Sequence, residues 1–180
     1  RRLRSLWAGQ RVSDPKADCE ALIGSVLPFA EQMLTTHGAF IPFGGAMRAD
    51  GQIVSIAGYD ENEHPQSTNV IALMKNGFVE GARRGEYKAT VLVYDVRVEL
   101  PSTEGKSDAI AVSLNHRDNY SVVVLFPYKI DAGELKFKNN EGGNPRPGYI
   151  LYFDVDEPAG VDSRFHSSDP LWVQPFNSGS

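Results

Sequence analysis

The stretch "EYKATVLVYDVRVEL", residues 86–100, decides how the rest of the chain must be arranged. It is rich in valine, tyrosine and threonine and has no glycine or proline, the composition of a long β-strand. Side chains alternate faces along a strand. Ala89, Val91, Val93, Asp95 and Arg97 therefore fall on one face, and Thr90, Leu92, Tyr94, Val96 and Val98 on the other. Tyr87 belongs in character with the second set although its number is odd. A change of face near Lys88, through a bulge or a twist, is the expected consequence.

Downstream, "DAIAVSLN" (108–115), "YSVVVLFPYKI" (120–130) and "ELKFK" (134–138) read as further strands, the first preceded by a loop, "PSTEGKS". Between the first two lies His116-Arg117-Asp118-Asn119. His-Arg-Asp is also the catalytic signature of protein kinases, but there the magnesium-holding Asn comes several residues later. A glycine-rich phosphate loop and a second metal-binding Asp are needed as well. Here Asn119 is adjacent, and the four residues read as the polar tip of a hairpin.

Upstream, "AFIPFGGAMR" (39–48) and "QIVSIAGY" (52–59) flank Ala49-Asp50-Gly51, a hairpin signal. Gly44 and Gly45 interrupt a strand pattern, which marks a bulge or a close approach of another backbone. A phosphate cradle would require a helix to follow, and a strand follows instead. Residues 14–37 carry a helical pattern. Ser13 or Asp14 ahead of Pro15 supplies the start, and Gly38 the stop. Pro28 in the middle predicts a kink or a fresh helix start. Beyond it, Ala30, Met33, Leu34 and His37 recur at helical spacing. A second helix is expected from a Ser67 cap to about Arg84, with Val70, Ile71, Met74 and Phe78 as its buried stripe.

After Asn139 the turn-rich "NNEGGNPRPG" reads as a linker. "YILYFDV" could add one strand, and Trp172 and Phe176 are expected to pin the proline-rich remainder onto the body. The expected organisation is a basic segment at 1–12, an α+β domain at 13–139 and a C-terminal extension at 140–180. The domain is an antiparallel sheet of five to six strands with two helices on one face.

The chain's 180 residues suffice for one domain with a sizeable core. A single cysteine, Cys19, precludes an intramolecular disulfide and suits a reducing compartment such as the cytoplasm. The sequence starts at Arg1 rather than Met, which leaves room for a leader or a preceding segment. No apolar run reaches the roughly 18 residues of a membrane span. The net charge is −5. Arg1, Arg2, Arg4 and Arg11 concentrate at the start, leaving 14 basic against 23 acidic residues elsewhere, a net of −9. An acidic body argues against nucleic acid as a partner and is compatible with a basic protein. In "RRLRSLWAGQR", Leu3, Leu6 and Trp7 could share one helical face, which reads as a terminus folded onto its own core.

Ionisable clusters are few. Asp60, Glu61, Glu63 and His64 sit in one polar loop that lacks the glycine and terminal glutamate of a calcium loop. Asp154 and Asp156, followed by Glu157, Asp162 and His166, fall in an irregular segment. Asp60, His64, Asp154, Asp156 and His166 are the candidate metal ligands, as oxygen and imidazole donors for a divalent cation in hydrolysis. Asp95 and Arg97, with Asp108 starting the next strand, predict a charged sheet face: an ion-pair lattice or a polar binding platform. The candidate binding residues are therefore Asp60, Glu61, Glu63, Asp95, Arg97 and Asp108. Cys19, with no basic pair nearby, reads as a core thiol rather than a nucleophile. No cofactor is expected.

With "GAFIPFGGAMRADGQIV", "VLVYDVRVELP" and "DAIAVSLNHRDNYSVVVLFPYKI" in view, the chain resembles small uncharacterised bacterial α+β proteins. In these a helix leads into a similar "PFG" hairpin and a later "DAI…H" to "FPY" strand pair. The likeness covers about residues 27–138 and implies no activity. In style the chain is also similar to bacterial immunity proteins. The expected function is non-catalytic protein binding through an acidic surface, toxin neutralisation being its most concrete form. The alternatives are a metal-assisted hydrolase, or a small-ligand carrier with a pocket lined by Phe40, Phe43, Tyr94 and Phe126.

Overall fold

β3 (Tyr87–Glu99) lies inside an antiparallel sheet, hydrogen-bonded to β1 (Phe43–Arg48) on one side and β4 (Lys106–His116) on the other. The computed structural model describes residues 14–58, 65–99, 105–138, 149–152 and 174–175. β2 (Ile53–Ala57) pairs with β1, and β5 (Tyr120–Asp131) with β4. β6 (Glu134–Phe137) and β7 (Tyr149–Tyr152) pair with different stretches of β5, and β8 (Gln174–Pro175) continues the edge beyond β7. The strand order is β2-β1-β3-β4-β5-β7-β8, with β6 beside β5. Together with the helices α1 (Pro15–His37) and α2 (Ser67–Arg83), this is an α+β fold.

The helices do not share a face. Ala89, Val91 and Val93 of β3, with Ile110, Val112 and Leu114 of β4 and Val122, Val124 and Phe126 of β5, pack under α1 residues Leu22, Val26, Leu27, Ala30 and Leu34. Leu92, Tyr94 and Val98, with Ala109, Ala111, Val123 and Leu125, form a second core with Val70, Ile71, Met74 and Phe78 of α2. The expected placement of both helices on one face fails for a simple reason. A strand apolar on both faces needs cover on both. Burying a valine or leucine side chain is worth about 1.5–3 kcal/mol, so neither face can be left to water.

Gly44 and Gly45 make the two-sided packing possible. A methyl group on Gly44 would overlap the Val91 carbonyl oxygen and sit 3.2 Å from Met74 and Phe78 of α2. One on Gly45 would lie 3.0 Å from the Val54 carbonyl oxygen and 3.9 Å from Val26 of α1. The close approach expected of this glycine pair is therefore present.

The expected bulge is at Lys88. Met47 pairs with Ala89 and Arg48 with Tyr87, leaving Lys88 as the extra residue of β3. Tyr87 meets Gly81 of α2, whereas Lys88 reaches Asp18 of α1. The change of face is complete within two residues.

Asp14 caps α1, its carboxylate accepting from the Lys16 and Ala17 amides at 3.1 and 3.3 Å, and Gly38 closes it at φ 72°. Pro28 neither splits nor restarts this helix, which runs continuously through it. Both Pro28 and Gly24, four residues earlier, are exposed, so the carbonyl deprived of its donor is left to water. α2 also departs from expectation at its start. Ser67 is its first helical residue, and Gln66 is the cap without a side-chain bond.

Candidate functional site

Beyond the area covered by α1, the same sheet face carries Asp95 and Arg97 on β3, Asp108 on β4 and Tyr128 on β5. Strand register brings them together: Arg97 is opposite Asp108, and Asp108 is opposite Tyr128. Asp95 stands one repeat along β3 from Arg97 and accepts a hydrogen bond from the Tyr128 hydroxyl at 3.0 Å. Arg97 Nε lies 3.9 Å from Asp108 Oδ1, both side chains being more than half exposed. An ion pair so long and so wet is worth little.

The electrostatics are those of two like-charged carboxylates, Asp95 bonded to a phenol and Asp108 beside a guanidinium. Asp95 is pushed above the ordinary aspartate range, first by burial of its carboxyl and then by the like charge of Asp108, while the Tyr128 hydrogen bond opposes the shift. As a residue Asp95 remains exposed, so water screens much of this effect. Tyr128 is itself buried, and burial, followed by the Asp95 charge, raises its phenol well above 10. It therefore stays a hydrogen-bond donor throughout the neutral range. A carboxylate offers about four lone-pair sites. Asp95 and Asp108 thus keep acceptor capacity toward solvent, on a frame of three paired strands. Such a surface can receive an ammonium or guanidinium group.

Of the residues singled out in the sequence, Asp95, Arg97 and Asp108 are brought to this one face. Asp60, Glu61, Glu63, His64, Asp154, Asp156 and His166 lie outside the described residues. Among the described residues no group of three or more His, Cys, Asp or Glu side chains is placed to hold a metal ion. The four residues suggested as a pocket lining do not meet. Phe40, Phe43 and Phe126 belong to the α1 core, and Tyr94 lies across the sheet in the α2 core.

A second polar cluster was invisible in the sequence. His116, at the end of β4, is buried, and its Nε2 lies 3.0 Å from Asp18 Oδ2 on the first turn of α1. Its Nδ1 accepts the Asp118 main-chain amide at 3.1 Å. A ring nitrogen that accepts an N–H carries no proton, so in the neutral ring Nε2 holds it and donates to Asp18. Lys88 Nζ is 2.8 Å from the same carboxylate oxygen. With both ring nitrogens committed, His116 ties the hairpin to α1 and has none left for a substrate proton. Asn119, at φ 57°, forms the left-handed corner of that hairpin, as its polar sequence predicts. Cys19, beside Asp18, is buried, and burial with the Asp18 and Glu20 charges pushes its thiol up to about 12. It is a poor nucleophile at neutral pH.

No described helix is long and apolar enough to cross a membrane. Comparison with family models, curated proteins and solved structures finds no match for this chain.

Proposed function

We propose that this protein is a non-catalytic binding module that recognises a basic side chain of another protein through the Asp95, Arg97 and Asp108 face. The observation that carries this reading is the pair of carboxylates held on adjacent strands, Asp95 feeling the like charge of Asp108 and Asp108 met by a loosely placed guanidinium at 3.9 Å. A lysine or arginine approaching Asp95 and Asp108 would complete the charge balance, with little rearrangement of a paired sheet. The net charge of −5 would favour the approach of a basic partner over distance. Toxin neutralisation is the most specific form of this role, in which the acidic surface covers a basic active or membrane-contacting region of the toxin.

The test is affinity capture from the source cell with the wild-type chain and with Asp95→Asn/Asp108→Asn in parallel. A basic protein retained by the first, lost from the second and released by moderate salt is the expected result. Equal retention by both, or no retained protein, would reject the reading.

A further inference from the structure

The outer edge of β2 pairs with no strand among the described residues. The turn fixes which backbone groups point outward from it. Arg48 N–H donates to the Gln52 carbonyl at 2.8 Å, and bonded and non-bonded pairs alternate along an antiparallel ladder. Val54 and Ile56 thus bond to β1, while Ile53, Ser55 and Ala57 turn their N–H and C=O groups away from the sheet.

Edge strands are ordinarily protected by lysine, proline, bulges or inward charges. β2 reads Ile53-Val54-Ser55-Ile56-Ala57 and has none of these. No ionisable residue occurs from Gln52 to Gly58 in a chain whose net charge is −5. Two copies of like net charge repel at long range, and this uncharged edge is a place where they can meet without opposing charge.

We propose that β2 pairs antiparallel with β2 of a second copy about a two-fold axis at Ser55, joining the two sheets edge to edge. The register is self-complementary. Ser55 faces its own counterpart, and Ile53 faces Ala57 of the second copy. Every such pair joins two residues whose backbone groups both point outward, so each exchanges both of its hydrogen bonds. The side chains also match, large against small. Ala57 sits opposite Phe43 within its own hairpin, and Phe29 stacks edge-on against Phe43 at 4.9 Å while remaining 49% exposed. Ile53 of the second copy would extend that row, covering the step left by Ala57 on the Phe29 side. The two-fold relation supplies the same contact twice. A five-residue strand gives a short seam, so the dimer depends on concentration. This association does not involve the Asp95 face.

The test uses the full chain. Cys19 is the single cysteine and is buried, so an added thiol reports alone. Across a hydrogen-bonded antiparallel pair the Cα atoms lie about 5.5 Å apart, within disulfide range. Under mild oxidation Ser55→Cys should form a covalent dimer, whereas Asp50→Cys, at the exposed hairpin tip, should not. Sedimentation velocity should show a concentration-dependent dimer for the wild type. For Ser55→Lys, which sets two ammonium groups together at the axis, it should show a monomer with an unchanged circular dichroism spectrum. A chain that stays monomeric while Ser55→Cys crosslinks no faster than Asp50→Cys overturns the proposal. A dimer that survives Ser55→Lys overturns it equally, by placing the interface elsewhere.

Discussion

Asp18 Oδ2 on α1 lies 3.0 Å from His116 Nε2 at the far end of β4, joining residues 98 positions apart. The same oxygen is 2.8 Å from Lys88, so one carboxylate anchors the first turn of the helix to two neighbouring strands. Both partners are largely withdrawn from water, the His116 side chain being 0% and that of Lys88 12% exposed.

Asp18→Ala should therefore lower unfolding free energy by about 2–3 kcal/mol, the range for removing a charged acceptor from a largely buried cluster. Asp18→Asn keeps an oxygen for the His116 N–H and loses the charge facing Lys88, so its loss should be the smaller. Urea denaturation of both variants measures this. Equal losses would show that the retained oxygen contributes nothing and that the charge carries the whole effect.

Cys19 makes alkaline stability predictable. Its thiol is raised from about 9 to about 12, so between those pH values the native state keeps a proton that the unfolded chain has lost. Stability is fully present below about pH 9 and falls as pH rises through that window. Tyr128, also raised, adds a loss that begins near pH 10. Cys19→Ala should unfold more easily at pH 8, by about 1 kcal/mol for the lost packing, yet show a shallower decline above pH 9. In the native wild type the thiol should resist a disulfide reagent at pH 8 and react freely in denaturant.

Two glycines should respond oppositely to alanine. Gly44→Ala drives a methyl into the Val91 carbonyl between two closely packed layers and should cost about 3 kcal/mol or prevent folding. Gly77, on the exposed side of α2, has nothing within 4 Å of an added methyl. Gly77→Ala should stabilise by about 0.5–1 kcal/mol through helix propensity alone. Thermal melts of the two variants compare them directly.

At the carboxylate face, the raised Asp95 contributes stability at low pH that is lost as pH rises through its elevated folded value. Asp95→Asn keeps an acceptor for Tyr128 and removes that loss. Solvent access keeps the effect small, so melting temperature should stay level or rise slightly at neutral pH. Tyr128→Phe deletes the hydroxyl and should cost about 1 kcal/mol. A melting-temperature series from pH 4 to 8 should show the two Asp95 curves converging at the acid end.

The sequence was most legible where chemistry is local. The Asp14-Pro15 start, the Gly38 stop, the hairpin corners at Gly51 and Asn119 and the odd parity of Tyr87 each depend on a few neighbouring residues. Each is found where it was expected. Pro28 misled because its penalty depends on which side of the helix it faces. On the solvent side, opposite the core, the helix passes through it. Asp95 and Arg97 were identifiable as one charged face because alternation along a single strand decides their side, whereas Asp108 joins them through the β3–β4 register.

Alternation, glycine placement and turn chemistry were thus enough to determine an antiparallel α+β chain with a long two-faced strand at its centre. They could not determine which face each helix takes, because the pattern within α1 or α2 names a buried stripe without naming its partner. Nor could they reveal the Asp18, Lys88 and His116 cluster or separate Tyr94 from Phe126. Those relations exist only once β1, β3, β4 and β5 are in register and a helix lies on each side. The tertiary structure decided them because contacts between distant residues depend on the position of every element between them.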